Sequence, residues 1–196
     1  MIIEESGLKF EFNEEAAVVK YDDSSFYRNY MNQLSESKGV DFISFYGERL
    51  VFTEVKNFKG HEAESRWRIY PNNKKIKSMQ ISAEPAGKDS LDIEISKKVA
   101  MTIDGLIGAY TKASGCEAAE TLIKHSRALI SPVVRAGTTQ LLIVLVLEGD
   151  FGCETRRKTT IMRDLEMSIK KKLAWLNCLV SVVDSDTYKK QIFQIM

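Results

Sequence analysis

Two β-rich runs, VDFISFY at 40–46 and RLVFTEVKNF at 49–58, are separated only by Gly47 and Glu48. A Gly-X pair between such runs suits a tight two-residue turn of type II′, whose first position needs a positive φ that glycine adopts without a Cβ clash. The spacing therefore predicts a β-hairpin over 39–58. With that turn, Tyr46 faces Arg49, and stepping outward opposes Phe45 to Leu50, Ile43 to Phe52 and Asp41 to Glu54. Directly opposed residues share a face, as do residues two apart on one strand, so Asp41, Glu54 and Lys56 should project together. Val40, Phe42, Val51 and Val55 should occupy the other face. Both faces are then apolar near the turn, which places the hairpin inside a sheet covered on both sides.

The remaining chain extends this into an α/β pattern. Leu8–Phe12 alternates like a strand, and residues 16–21 offer a second. Asp22, Asp23, Ser24 and Ser25 supply N-cap chemistry for a helix over about 26–36, with Phe26, Tyr30 and Leu34 along one apolar stripe. Residues 60–94 are polar and irregular and read as an insertion holding an extra hairpin or a mobile loop. A helix is expected over 95–113, with Val99, Ile103, Leu106, Ile107 and Tyr110 on its apolar side, and another over 116–130, which Pro132 keeps from continuing. The run QLLIVLVLE at 140–148, between Gly137 and Gly149, lacks polar alternation and suits a strand buried on both faces. A basic amphipathic helix over 155–176 and a strand LVSVVD at 179–184 complete the pattern. No repeat or Pro- or Ser-rich linker divides the 196 residues, so one domain over 1–196 is expected.

Composition narrows the function. The formal net charge is +1, from 28 basic and 27 acidic residues, so any polyanion must meet a local basic patch. Cys116, Cys153 and Cys178 are far apart and odd in number, which favours reduced cytoplasmic thiols over a disulfide framework or a zinc site. Acids stand where a secretory signal needs basic residues, and the longest apolar run, LLIVLVL at 141–147, is too short to span a bilayer, so a cytoplasmic protein without membrane attachment is expected. With His61 and His125 as the sole histidines and no G-x-S-x-G, P-loop or H-E-x-x-H pattern, the chain offers little to a serine hydrolase, an NTPase or a zinc peptidase.

The charges on the hairpin are out of place in such a setting. Two carboxylates opposed across a strand pair repel, and the penalty grows as they lose water. A divalent cation removes that objection. Mg²⁺ or Mn²⁺ takes carboxylate, carbonyl and water oxygens, which Asp41, Glu54 and the backbone carbonyl of Val55 can supply. Lys56 beside the cation is placed to orient or deprotonate a water, or to stabilise charge at phosphorus. The same residues also suit an ordinary strand-end ion pair of Glu54 with Lys56 beside a solvated Asp41.

The segment GVDFISFYGERLVFTEVKNF resembles the D…ExK core of the PD-(D/E)xK nuclease superfamily, to which restriction-endonuclease-like and Holliday-junction-resolvase-like domains belong. Asp41 stands at the motif aspartate and Glu54-Val55-Lys56 at the ExK. The resemblance implies a restriction-endonuclease-like α/β fold, with a mixed central sheet flanked by helices on both faces. It implies a Mg²⁺-dependent phosphodiesterase acting on DNA rather than RNA, with a further acid from the first helix, for which Glu36 and the Asp22-Asp23 pair are available. It also places the helix that follows the insertion, which begins with Glu94, Lys97 and Lys98, near the active site, although capping and solvation explain those residues equally well. Lys59, His61, Arg66, Arg68, Lys74, Lys75 and Lys77 follow the motif strand as a candidate phosphate-tracking surface, with Trp67 or Tyr70 to stack on bases. Arg156, Arg157, Lys158, Arg163 and residues 170–172 give the late helix a basic face that would grip a DNA backbone or simply face solvent. The second reading is a non-catalytic module that keeps the nuclease fold to bind nucleic acid or a protein. The near-neutral charge leaves room for a protein partner or a homodimer to supply DNA affinity.

Overall fold

In the computed structural model, which describes residues 1–74, 89–130, 141–188 and 191–196, the chain opens with strands β1 (Ile2–Glu5), β2 (Leu8–Phe12) and β3 (Val19–Lys20). A short helix α1 (Ser25–Asn29) leads to the expected hairpin of β4 (Phe42–Tyr46) and β5 (Arg49–Asn57). The register is the one the turn imposes, with Tyr46 opposite Arg49, Ile43 opposite Phe52 and Phe42 opposite Thr53. Gly47 takes a φ of +58°, and Glu48 keeps a negative φ, as a type II′ turn requires.

Two crossovers then build outward from β5. Helices α2 (Glu62–Ser65) and α3 (Leu91–Lys112), followed by α4 (Glu117–Glu120) and α5 (Ile123–Ile130), lead to β6 (Leu141–Glu148), which lies parallel to β5. Helix α6 (Lys158–Lys172) leads to β7 (Cys178–Val183), parallel to β6. The result is a five-stranded mixed sheet of order β3-β4-β5-β6-β7. A separate three-stranded antiparallel sheet pairs β1 and β2 with the last strand, β8 (Phe193–Ile195).

Alternation along the central strands divides the apolar side chains between two cores. Ile43, Leu50, Phe52, Ile143 and Leu145 pack with Leu91, Ile95, Val99 and Leu106 of α3 and with Leu165 of α6. Phe42, Val51, Val55, Val144 and Val146 pack instead against Phe10, Phe12 and Phe193 of the small sheet. Among the described residues the α-helices therefore cover one face, and the small sheet covers the other, which corrects the expectation of helices on both. Aromatic rings supply the width that a helix would have given. Phe10 and Phe42 lie 5.4 Å apart between ring centres, and Phe10 and Phe193 lie 5.3 Å apart.

Several local expectations also need correction. Ser24 caps α1, its Oγ accepting from the Tyr27 amide at 3.2 Å, but the helix ends after Asn29 and a 3₁₀ turn follows at Met31–Gln33. That change of pitch turns Phe26, Tyr27 and Met31 inward and leaves Tyr30 and Leu34 exposed. On α3, Ile107 and Tyr110 are exposed, and the inward face continues through Leu106 and Ala109. Val40 joins the helix-side core rather than the face of Phe42, because the chain bends at Asp41. The helix expected over 116–130 breaks into α4 and α5. In the insertion the described residues form α2 and two 3₁₀ turns, Arg66–Ile69 and Pro71–Asn73, and no hairpin. Lys75, Lys77, Pro132, Gly137 and Gln140 lie outside the described residues. No helix among the described residues is long and apolar enough to cross a membrane.

Helix α3 is fixed in place at two points. Near its start the fully buried Asp92 carboxylate accepts from Ser90 Oγ at 2.6 Å, Ser168 Oγ at 2.8 Å and Lys172 Nζ at 2.7 Å, tying α3 to α6. Further along, Gly105 lets the helix backbone approach Tyr21, since a Cβ there would fall 1.9 Å from the Tyr21 hydroxyl. That hydroxyl is buried without a hydrogen-bond partner. Gly105→Ala should therefore destabilise the fold by about 1–3 kcal/mol. Tyr21→Phe removes the obstructing atom, and in the double variant it should recover part of that loss. Urea midpoints of the four proteins test this, and strictly additive effects would show that the contact does not set the helix position.

Candidate metal centre

Asp41 stands one step beyond the last paired residue of β4, and the same register carries it opposite Glu54. Its backbone carbonyl accepts from the Tyr21 amide at 2.8 Å, and its Oδ2 accepts from the Val55 amide at 2.6 Å. The carboxylate thus replaces a strand carbonyl where the chain bends away from β5. A strand residue directs its N–H and C=O to the same side, so the Val55 carbonyl faces the edge that Asp41 occupies. Asp41 is 5% exposed and Glu54 1%.

Helix α3 and the insertion bring further charges to this pair. Lys56 Nζ lies 2.7 Å from Glu54 Oε1 and 3.0 Å from Glu94 Oε1. Lys98 Nζ lies 2.5 Å from the same Glu54 oxygen and 3.6 Å from Asp41 Oδ1. Arg68 pairs with the other oxygen of Glu94 and rests over the Phe58 ring, 5.3 Å from its centre. Asp41, Glu54 and Glu94 therefore alternate with Lys56, Lys98 and Arg68. Glu54 Oε2 is buried with no hydrogen-bond partner among the described residues.

The protonation equilibria follow from this packing. Burial, reinforced by the Glu54 carboxylate, pushes the Asp41 carboxyl up to about 7, against the opposing pull of Lys98 and the Val55 amide. Burial disfavours charge on Lys56, but Glu54 and Glu94 outweigh it and hold the ammonium above the usual lysine range. Lys98 is raised in the same way, with Glu54 outweighing burial. Glu94 is kept below the usual carboxylate range because Lys56 and Arg68 outweigh its burial. Asp22, just before α1, is raised to about 6 by burial and by Glu5, while Lys98 pulls the other way. Its Oδ1 is also buried without a partner.

The donor chemistry fits a hard divalent ion. Asp41, the unpartnered oxygen of Glu54 and the Val55 carbonyl are all oxygen ligands, the set that Mg²⁺ and Mn²⁺ prefer. Among the described residues no group of three or more His, Cys, Asp or Glu side chains is arranged to hold a metal. A cation here would thus rest on two carboxylates, a carbonyl and water, which is the usual protein share for Mg²⁺.

The other residues singled out from the sequence fall in several places. Arg68, assigned to phosphate tracking, is drawn into the network by Glu94. Lys59 pairs with Glu148 at 2.8 Å, and His61 is exposed 3.7 Å from Glu64. Arg66 is half-buried on its 3₁₀ turn, and Lys74 is exposed. Glu36 is exposed in left-handed backbone and makes none of the site's bonds, so of the nominated further acids only Asp22 feels the site's charges. On the late helix Arg156 pairs with Asp164, Lys158 with Asp184 and Lys172 with Asp92, while Arg157, Arg163, Lys170 and Lys171 are exposed. His125 is buried, its Nε2–H donating to the Ala17 carbonyl at 2.8 Å. Glu94 and Lys98, left open between capping, solvation and a place near the site, belong to the network. Their i, i+4 spacing on the buried side of α3 is the signal that marks them.

Residues 24–196 match a family described as a family of unknown function, DUF6661, and the chain belongs to it. No curated protein and no solved structure matches the chain.

The raised Asp41 carboxyl has a signed consequence for stability. A folded value above the unfolded one means that the fold favours the protonated form. That stability is fully present below the unfolded value and is lost as pH rises through about 7. With a chelator present, the wild type should lose on the order of 2–4 kcal/mol more than Asp41→Asn between about pH 4 and pH 8. Urea unfolding of both proteins across that range checks it, and parallel profiles would contradict the assignment.

Proposed function

We propose that this member of DUF6661 is a Mg²⁺- or Mn²⁺-dependent phosphodiesterase acting on DNA, with its site on a nuclease-like hairpin of the D…ExK kind. One observation carries the reading: Asp41 and Glu54 oppose each other almost fully buried, and Glu54 keeps a buried oxygen that no donor among the described residues satisfies. Buried like charges with an unpaired oxygen are costly to retain for structure alone, and such perturbed groups concentrate at functional sites. The mixed sheet, with the hairpin near its centre, agrees with a restriction-endonuclease-like core in which a small sheet takes the place of one helical layer.

Asp41, Glu54 and the Val55 carbonyl are the groups that would hold the ion. Once bound, such an ion polarises a phosphate oxygen and acidifies a water molecule. Lys56 is kept protonated by Glu54 and Glu94, so it serves as a donor that orients a water or meets negative charge at phosphorus, and not as a base. Glu94 positions Lys56, and Arg68 in turn positions Glu94. Among the described residues Arg66 and Lys74, together with the exposed Arg157, Arg163, Lys170 and Lys171, are cations that could meet a DNA backbone, with His61 beside them as a hydrogen-bond donor.

A second reading has its own support, because Lys56 and Lys98 already neutralise Glu54 from within the protein. That balance suits a non-catalytic module that binds nucleic acid or a protein partner, including a second copy of the chain.

Cleavage of labelled single-stranded, duplex and branched DNA and of RNA, with Mg²⁺ or Mn²⁺ at fixed salt, separates the two. Asp41→Ala and Lys56→Ala should each lower the rate about a hundredfold or more. Cleavage that survives both substitutions would overturn the assignment of this site, and no cleavage together with no cation binding by calorimetry would favour the second reading.

A further inference from the structure

The Lys98 ammonium already bridges the two carboxylates, Asp41 and Glu54, that would hold a divalent ion. It lies 2.5 Å from Glu54 Oε1 and 3.6 Å from Asp41 Oδ1, so a single charge bridges both carboxylates. An ion held by Asp41 and the unpartnered Glu54 oxygen would face that ammonium across the same two carboxylates, where like charges repel.

The neighbouring contacts decide which group yields. Lys56 also touches Glu54 Oε1, but Glu94 holds it a second time at 3.0 Å, and Arg68 pairs with Glu94. Among the described residues Lys98 has only its longer reach to Asp41 beside the Glu54 contact. It hangs from α3 on a flexible four-carbon stem, so it can swing without moving β4 or β5, which supply the ligands. A destination is available in Asp22. Among the described residues its Oδ1 is buried with no hydrogen-bond partner, it stands next to Tyr21, whose amide binds the Asp41 carbonyl, and the Lys98 charge pulls its carboxyl down against burial.

We infer that Lys98 is the internal counter-cation of the Asp41–Glu54 pair, that a divalent ion displaces it, and that Asp22 receives the displaced ammonium. This rests on the cation-site reading and adds to it a competition that sets the affinity for the ion.

Calorimetric titration of the full chain with Mn²⁺ tests the inference without any need for substrate, with circular dichroism to confirm that each protein is folded. Lys98→Gln should bind Mn²⁺ about tenfold or more tightly than wild type, since no charge has to be displaced. Lys98→Arg should bind more weakly, because a guanidinium can fork across both carboxylates. A through-space charge effect alone would leave that variant at wild-type affinity and overturn the inference. Asp22→Asn should also weaken binding, and that loss should vanish in the Lys98→Gln background, where no ammonium needs a new partner. If wild type binds Mn²⁺ and Lys98→Gln binds it no more tightly, Lys98 is not displaced, and the cation site stands without it. If neither folded protein binds Mn²⁺, the cation site fails and the inference fails with it. Should Lys98→Gln not fold, the direction of the Lys98→Arg change decides the matter.

Discussion

The register of β5 between its two neighbours is the constraint on which the rest of the molecule depends. β5 pairs antiparallel with β4 on one edge and parallel with β6 on the other, so its side chains have only the two sheet faces to enter. A slip of one residue would exchange those faces. Glu54 and Lys56 would then point among the rings of Phe10, Phe12 and Phe193, and Val55 would point at the charges of α3. The turn at Gly47 that fixes the hairpin therefore also fixes where charge can be tolerated. Fold and candidate site are specified by the same pairing.

The molecule contains other buried acids, and comparison with them shows what is unusual at Asp41 and Glu54. At the far end of β6, Glu148 accepts from Lys59 on one oxygen and from the Ser185 amide on the other. Just past β7, Asp184 is met by Lys158 on one oxygen and by Thr187 on the other. Asp92 is surrounded by Ser90, Ser168, Lys172 and the Asn72 amide. In each case the carboxyl is held below its ordinary range, because its partners outweigh burial. These are satisfied structural acids that close strand ends and dock helices. Asp41 is shifted the opposite way, and Glu54 keeps an oxygen unsatisfied. The fold is able to satisfy a buried acid fully and does so elsewhere, which makes the exception informative.

Local chemistry made part of this legible from the sequence. The Gly47-Glu48 pair and the flanking alternation were enough for the hairpin and its register, and therefore for the opposition of Asp41 and Glu54. The unbroken apolar run ending at Glu148 was enough for a strand covered on both faces. Other features depend on contacts between distant segments. The second covering layer is assembled from both ends of the chain, with β8 pairing to β2, and neither β1 nor β8 carries a strong strand signature. The apolar stripe through Tyr30 and Leu34 assumed a continuous α-helix, and the 3₁₀ turn at Met31 rotated it away. Arg68 sits among other polar residues of the insertion, and nothing beside it in sequence indicates that Glu94 will draw it inward. The place of Lys98 on the hairpin depends on how closely α3 approaches, which is set by Gly105 against Tyr21, far from either in sequence.

Neutralisation of the Asp41–Glu54 pair bears on folding before it bears on chemistry. Leaving one buried charge without its partner costs about 3–5 kcal/mol. The whole stability margin of a domain is about 5–15 kcal/mol. A fold that depended on an external ion to cancel these carboxylates would put much of that margin at the mercy of ion supply. Lys56 and Lys98 remove the dependence, since both reach Glu54 from within the chain. The same solution limits how tightly an ion can bind, because part of its binding energy goes into parting a lysine from its carboxylates. With Lys56 held twice and Lys98 held closely only once, the energy of that step falls on the lysine from α3. The packing that carries α3 to the hairpin therefore contributes to both properties, the stability of the fold and the ion concentration at which the site would fill.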